Sequence, residues 1–319
     1  MTQKALPERV LVLGGTGFMG SEIARAFLAA GSSVTAVARH QPTGRSLASI
    51  EGAELVLSDA GDPAALASLV SRVDHVVHAV GAMLPKESNA DPVLDATSTL
   101  PGILSLLEIL RHRPQVGLTY LSSGGTVYGN PVQIPVKETS ACDPITSYGI
   151  MKLTVEKYIG MYRALYALPA RILRVSNAYG PLQPAGRSQG IVGSFLAAAR
   201  NGVPVRVFGD GTMIRDYVYV ADVARAAVDL TRRLDGPRVV NVGSGVGHSV
   251  LEVLEIVCEI TGRRLVVERL PDRGFDVEEI VLDVGTLSDL ASWKPITLEM
   301  GIERTWQDLL SQLEPVMIG

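Results

Sequence analysis

The feature that most constrains the fold of this chain is the run GGTGFMG at residues 14 to 20. It follows the apolar run VLVL (10 to 13) and precedes SEIARAFLAAG, which has the apolar spacing of an amphipathic helix. A glycine-rich turn between a strand and a helix lets the backbone approach a pyrophosphate, which then lies against the positive end of the helix. This context predicts a dinucleotide-binding turn.

The glycines of this turn fit two spacings. Gly15, Gly17 and Gly20 match GxGxxG, and Gly14, Gly17 and Gly20 match GxxGxxG. The alternative is a glycine-rich turn that binds nothing, and the position between strand and helix argues against it.

Apolar, β-branched runs alternate with amphipathic stretches along the first 180 residues. The runs are VLVL (10 to 13), SVTAVA (33 to 38), AELVLSDA (53 to 60), HVVHAV (75 to 80), GLTYLSS (117 to 123) and PARILRVSN (169 to 177). Such alternation is typical of βαβ units. The expected fold is a doubly wound α/β fold of the Rossmann type, with a parallel sheet of six or seven strands.

The composition changes after residue 177. The segment AYGPLQPAGRSQG is rich in glycine and proline, which predicts passage into a smaller region. DYVYVADVARAAVDL and VVNVGSG then have the pattern of strand, helix and strand, which predicts a return to the sheet. We therefore expect a dinucleotide-binding domain at 1–178 with a returning segment at about 216–245. A discontinuous substrate domain would cover mainly 179–215 and 246–319.

Composition excludes several classes of function. The net charge is -4 with no basic stripe, which argues against a nucleic-acid partner. Cys142 and Cys258 lie far apart with no Cys/His cluster, so neither a disulfide framework nor a metal site is expected. The start lacks a secretory pattern, and the charge-free stretch 114–136 is interrupted by Pro, Gly, Ser and Asn, so no membrane span is expected. A soluble, cytoplasmic protein is the expectation.

The second strand lacks the acidic residue that usually binds the adenosine ribose of NAD. No Asp or Glu occurs between Glu22 and Glu51, and the strand ends instead at Ala38 and Arg39. Arginine suits a 2′-phosphate, so NADP is slightly favoured over NAD. The alternative is that Arg39 is a solvated loop charge and that NAD binds through other groups.

Asp59 follows the third strand and has two interpretations. Its carboxylate can accept a hydrogen bond from the adenine amino group, or it can cap the helix that starts near Pro63. Both interpretations remain open at this point.

YGIMK, residues 148 to 152, provides the candidate catalytic pair. On a helix, Tyr148 and Lys152 would lie four residues apart on one face, beyond the strand that ends in LSSGGTVYG. A nearby ammonium, together with a positive nicotinamide, is a physical means of making a tyrosine act as a base near neutral pH. The alternative is an ordinary surface pair.

At this point the sequence resembles the extended short-chain dehydrogenase/reductases, in particular the nucleotide-sugar epimerase/dehydratase group that includes UDP-galactose 4-epimerases. The resemblance rests on the order of GGTGFMG, HAVGA, SSGGTVYG, YGIMK, RVSNAYGP, FGDGTMIRDYVYVADVA, NVGSG and WKPITLEMGIERTW. It implies a catalytic triad of Ser or Thr, Tyr and Lys.

The chain departs from that triad at one position. Alignment of TVYG places Gly124 where the family usually carries the hydroxyl. Ser123 and Thr126 flank this position, and Ser123 is slightly preferred as the replacement, with Thr126 as the alternative.

The resemblance also implies the binding residues. For the substrate diphosphate and nucleoside, they are Asn177, Arg215, Arg273 and Asp276. For the cofactor, which Tyr148 and Lys152 would also contact, they are Gly14, Gly17, Phe18, Met19, Gly20, Arg39, Asp59, Ala60, Ala79 and Gly81.

The implied activity is a nucleotide-sugar 4-epimerase that works through a transient 4-keto sugar by hydride transfer, with Tyr148 as acid and base. The alternative is an NADPH-dependent ketoreductase of nucleotide 4-keto sugars, which the missing ribose acid and Arg39 favour. A non-catalytic nucleotide-binding relative has Gly124 as its only support. The resemblance further implies a homodimer.

Overall fold

The computed structural model describes residues 5–81, 83–183, 190–274 and 277–311. The strands are β1 (Arg9–Leu13), β2 (Ser33–Ala38), β3 (Glu54–Leu57), β4 (His75–His78), β5 (Gly117–Ser123), β6 (Ala170–Val175), β7 (Asn177–Tyr179), β8 (Val205–Phe208), β9 (Ile214–Tyr219), β10 (Val239–Val242), β11 (Gly247–Ser249), β12 (Val267–Leu270) and β13 (Glu279–Ile280). The helices are α1 (Phe18–Ala29), α2 (Arg45–Ala48), α3 (Pro63–Val70), α4 (Pro85–Ala90), α5 (Pro92–Arg111), α6 (Ser147–Tyr166), α7 (Ile191–Asn201), α8 (Val220–Thr231), α9 (Val250–Thr261), α10 (Gly285–Leu290) and α11 (Leu298–Ser311).

The main sheet has seven parallel strands in the order β3-β2-β1-β4-β5-β6-β10. Its inner strands are almost continuously buried, as expected for a parallel sheet covered on both faces. The strand order reverses between β1 and β4, which opens a crevice at the carboxyl ends of the strands. The expected doubly wound α/β fold is confirmed.

Helices cover the main sheet in two layers. On one face, α1 packs against α8, and α10 packs against β10. On the other face, α5 lies between α3 and α6. Each layer has its own apolar core, so the sheet edge that carries the glycine turn and α6 is held rigidly from both sides.

The second region is built around a small sheet in which β9 pairs with β7, β11 and β13. A parallel pair, β8 and β12, lies beside it with α7, α9 and α11. The chain therefore leaves the main sheet after β6 and rejoins it only at β10. The division into two domains at the residues expected above stays a prediction.

Two expectations about these strands were wrong. The run 169–177 is not one strand, since β6 ends at Val175 and Asn177 begins β7 in the small sheet. DYVYV does not return to the main sheet, because β9 belongs to the small sheet. The apolar pattern of a strand reports its burial and says nothing about which sheet buries it.

Among the described residues, one helix, α5, is long and apolar enough to span a membrane by length and composition alone. Here it packs through Ile103, Leu106, Leu107 and Leu110 into the core beside α3 and α6. The stretch 114–136 contains β5 and a loop and has no helix.

Candidate active site

The glycine turn packs tightly between β1, α1 and the end of β4. Gly14 has a positive φ of 76°, and a Cβ there would lie 2.9 Å from the carbonyl oxygen of Ala79. A Cβ at Gly20 would clash with the carbonyl oxygen of Gly14. Larger residues at these positions would push the helix away from the strand end.

The amino end of α1 is open toward a cavity of about 310 Å³, called the main cavity below, which extends past Tyr148 to Arg215. Gly17 occupies the N-cap position and offers no side-chain cap, while Phe18 and Met19 line the cavity. The uncapped amides and the positive end of the helix fit a pyrophosphate. The turn therefore fits the dinucleotide that its sequence predicts.

The remaining predicted cofactor residues surround this turn. Ala79 donates its amide to Leu13 at 2.9 Å, and Gly81 lies exposed beyond it. Ala60 lies in the turn after β3, partly exposed. Arg39 follows the end of β2 with an exposed side chain.

Asp59 does not cap α3. Asp62 is the N-cap and accepts hydrogen bonds from the amides of Ala64 and Ala65. The exposed Asp59 carboxylate accepts from the amide of Gly61 at 2.8 Å. Both aspartates precede Pro63, and the one next to the proline has the reach to the first helical amides. Contact of Asp59 with the adenine stays a prediction.

Tyr148 and Lys152 lie in the first turns of α6, which the hydroxyl of Thr146 caps by accepting from the amide of Gly149 at 3.2 Å. Lys152 is buried and its Nζ lies 5.8 Å from the centre of the Tyr148 ring. The spacing of four residues therefore places both side chains together at the sheet edge, as expected.

Ser123 is the hydroxyl that meets Tyr148. Its side chain hydrogen bonds to the phenol, which stabilises the phenolate form of Tyr148. A Cβ at Gly124 would point at Leu282, 2.5 Å from Cδ1, and Gly124 does not line the main cavity. A side chain on residue 124 would therefore have to displace Leu282.

Thr126 also lines the main cavity, but in a different way. Within the described residues its Oγ1 is buried and has no hydrogen-bond partner. The structure thus places Ser123 against Tyr148 and leaves the Thr126 hydroxyl for another group.

Burial dominates the electrostatics of the pair. It raises the pKa of Tyr148 to about 12, against the lowering effect of the Ser123 hydrogen bond. Burial also lowers the pKa of Lys152 to about 8, against the raising effect of Glu156 and Asp95. Within the protein alone, the ammonium therefore does not bring the pKa of Tyr148 toward neutrality, contrary to the simple expectation from the pair.

Three of the predicted substrate residues share the main cavity of about 310 Å³ with Tyr148, Ser123 and Thr126. Asn177 lines its wall at the start of β7, and Arg215 and Arg273 line it from β9 and from the loop after β12. Arg215 donates to the carbonyl oxygen of Ile214 at 2.8 Å, and the Arg273 guanidinium stacks 4.5 Å from the Phe208 ring centre. Asp276 lies outside the described residues.

The sequence reasoning did not identify two further groups at this site. Asp95 is fully buried on α5 and accepts a hydrogen bond from the Ser147 hydroxyl at 2.9 Å. Tyr217 and Gln183 line the cavity with buried polar atoms, the phenol oxygen and Oε1, that have no partner in the described chain. An aspartate within an apolar helical stretch was the one sequence signal for Asp95. No sequence pattern marked Tyr217 and Gln183.

Comparison with known proteins agrees with this geometry. The model of the NAD dependent epimerase/dehydratase family matches residues 10–243. The UDP-glucose 4-epimerase of Mycolicibacterium smegmatis is 33% identical over 305 residues, 93% of this chain and 97% of that protein.

Solved structures are equally similar over the whole chain. The UDP-glucose 4-epimerase of Thermotoga maritima with UDP-glucose has a TM-score of 0.89 at 31% identity, covering 96% of this chain and 100% of that one. The UDP-glucose 4-epimerase of Thermus thermophilus in complex with NAD has a TM-score of 0.87 at 33% identity, with the same coverage. The present chain belongs to the NAD dependent epimerase/dehydratase family and is an enzyme of the extended short-chain dehydrogenase/reductase type.

Proposed function

We propose that this enzyme is a nucleotide-sugar 4-epimerase that uses NAD and passes through a transient 4-keto sugar. One observation carries the proposal: a single cavity is lined by the acid-base group Tyr148, by the hydroxyl of Ser123, and by two hydrogen-bond donors suited to phosphate oxygens, Asn177 and Arg215. The three relatives described above, which cover more than nine-tenths of this chain, are UDP-glucose 4-epimerases.

Tyr148 is the group that exchanges a proton with the sugar. Its phenolate would take the proton of the 4-hydroxyl. The resulting phenol would return that proton to the sugar oxygen after the configuration at C4 has been inverted. The Ser123 hydroxyl would hydrogen bond to the same sugar oxygen and stabilise the charge that develops there. The nicotinamide, when bound, supplies a reversible acceptor for the hydride of the sugar carbon.

Lys152 holds the geometry and the electrostatics of this step. Its buried ammonium lies 5.8 Å from the centre of the Tyr148 ring and would add to the positive charge of the oxidised cofactor in favouring the phenolate. Burial of Tyr148 keeps the phenol protonated until a second positive charge enters the site. This arrangement would restrict deprotonation to the complex with oxidised cofactor.

The nucleotide end of the substrate would lie against Arg215 and Arg273. A guanidinium fork suits the oxygen atoms of a diphosphate. Asn177, at the start of β7, offers a further amide donor in the same cavity. With the diphosphate at the arginines, the sugar would extend toward Tyr148, which lines the same cavity.

Arg39 favours the second candidate, an NADPH-dependent ketoreductase. Its exposed side chain at the end of β2 is suited to a 2′-phosphate, and no acidic residue replaces it between Glu22 and Glu51. The same catalytic residues would then run half of the epimerase sequence, with Tyr148 as the acid.

The deciding experiment starts from the purified protein. Denaturation followed by mass spectrometry identifies any released nicotinamide cofactor, and conversion of UDP-glucose to UDP-galactose measures epimerisation. Stoichiometric NAD and interconversion without added cofactor support the epimerase. NADPH-dependent reduction of a nucleotide 4-keto sugar, without interconversion of UDP-glucose and UDP-galactose, overturns the epimerase in favour of the ketoreductase.

Tyr148→Phe is the matched variant for this assay. General acid-base catalysis contributes about 100- to 10,000-fold, so turnover should fall by that order while NAD still binds. Undiminished turnover would remove Tyr148 from the mechanism.

We further propose that two copies pair through α5 and α6 and that the enzyme works in the cytoplasm. Ile150, Met161 and Leu165 are exposed and lie on one side of α6 by helical spacing. Exposed apolar side chains on one side of a helix are the kind of surface that an interface between subunits covers. The family resemblance and the two free cysteines support the dimer and the compartment, respectively.

A further inference from the structure

We propose that Asp95 is a positioning residue for the catalytic pair: its buried carboxylate fixes the first turn of α6 and supplies the negative charge that balances the ammonium of Lys152. The inference deepens the proposed function and rests on it for the roles of Tyr148 and Lys152.

Asp95 joins three helices at the amino end of α6. Its Oδ2 accepts hydrogen bonds from the hydroxyl groups of Ser88 on α4, at 2.5 Å, and of Ser147 on α6, at 2.9 Å. Ser147 also donates its amide to Oδ1 of Asn89, on α4, at 2.9 Å. The residue immediately before Tyr148 is therefore tied to both neighbouring helices.

The carboxylate is completely buried, and its Oδ1 accepts no hydrogen bond from the described chain. A buried oxygen that carries negative charge without a hydrogen bond is costly unless a positive charge lies near it. The nearby cation of α6 is Lys152, whose protonated form is stabilised by the charge of Asp95. The carboxylate opposes deprotonation of Tyr148 in the same way.

The other charged and titratable groups around α5 do not take this role. On α4, Lys86 and Glu87 are exposed, and on α5 itself Asp91 caps the helix at the surface. The helix on the other side, α3, has no titratable residue. From the sheet, His78 and Tyr120 approach the pair, and burial lowers the pKa of His78 to about 3, so both are neutral near pH 7. Glu156 acts on Lys152 as well, but it is paired with Arg174 at 2.7 Å.

Asp95→Asn removes the charge and keeps the shape and one acceptor. The readout is the pKa of Lys152 in the full-length protein, measured by carbon-13 NMR of labelled lysine and assigned with Lys152→Met. We expect the pKa of Lys152 to fall by about one pH unit in Asp95→Asn, because the stabilising carboxylate is gone. The alkaline limb of the activity profile should move to lower pH by the same amount.

Asp91→Asn is the control, since Asp91 is an exposed cap on the same helix. It should leave the pKa of Lys152 unchanged even where it lowers stability. If circular dichroism shows that Asp95→Asn is unfolded, a second neutral variant, Asp95→Ser, takes its place.

A Lys152 pKa that stays the same or rises in a folded neutral variant overturns the proposal. The lysine titration needs neither substrate nor turnover. If the pKa of Lys152 falls in Asp95→Asn but the protein has no epimerase activity, the role of Asp95 is supported and only the proposed function is rejected.

Discussion

The ammonium of Lys152 donates a hydrogen bond of 2.9 Å to the carbonyl oxygen of Leu121, two residues before Ser123. This contact ties α6 to β5, the strand that delivers the hydroxyl to Tyr148. Lys152 thus fixes two elements of the site, and Ser123 is the side chain whose hydrogen bond lowers the pKa of Tyr148. The roles of Ser123 and Lys152 can be separated by mutation.

Ser123→Ala should lower kcat about 100-fold with little change in the affinity for nucleotide sugar. Removal of one hydrogen bond to a developing oxyanion has an effect of this order on kcat. The measurement is kcat and KM for UDP-glucose, with substrate affinity from calorimetry. Thr126→Val is the matched control and should lower kcat much less, because the Thr126 hydroxyl does not meet Tyr148. A larger loss in Thr126→Val would transfer the role to Thr126.

Lys152→Met should stabilise the protein at pH 7 while it abolishes turnover. The pKa of Lys152 is about 8 when folded, below its ordinary value of 10.5, so the unfolded chain binds the proton more tightly. The wild type is therefore destabilised by up to about 3 kcal/mol below pH 8, and it regains stability as the pH rises from about 8 to 10.5. The lost hydrogen bond to Leu121 subtracts from the gain in the variant.

Denaturant unfolding at several pH values measures this effect. The stability advantage of Lys152→Met over wild type should shrink as the pH rises between 8 and 10.5. An advantage that grows with pH would mean that the burial of Lys152 does not favour its neutral form.

Arg39→Ala should weaken binding of NADP about tenfold and leave binding of NAD about unchanged. A charged hydrogen bond to a phosphate is worth about 1.5 kcal/mol or more, and NAD has no 2′-phosphate. Fluorescence titration with the two reduced cofactors measures the ratio. Arg45→Ala is the control from the same segment, since Arg45 is already paired with Asp308. Equal weakening of both cofactors would show that Arg39 does not read the 2′-phosphate.

Leu165→Glu should convert the proposed dimer to monomers. Leu165 is 64% exposed at the end of α6, and a carboxylate buried against a second copy would lie in apolar surroundings. Light scattering after gel filtration measures the mass. Val266→Glu, at a residue 68% exposed before β12, is the control and should leave the mass unchanged. A dimer that survives Leu165→Glu would place the interface elsewhere.

The sequence by itself determined the local features of this enzyme. The glycine turn, the first five parallel strands and the helical spacing of Tyr148 and Lys152 depend on neighbours within a few residues, and all three are where their patterns predict. The same local logic did not separate Asp59 from Asp62 as the cap of α3, because both lie within four residues of its start.

Only the tertiary structure decided which groups meet. Leu282 fills the space beside Gly124, the sheet that receives Asn177 depends on β9, and part of the negative charge near Lys152 comes from Asp95 on another helix. The high pKa of Tyr148 comes from its burial. Sequence patterns carry periodicity and spacing, whereas burial and long-range contacts arise when segments far apart in the chain pack together and exclude water.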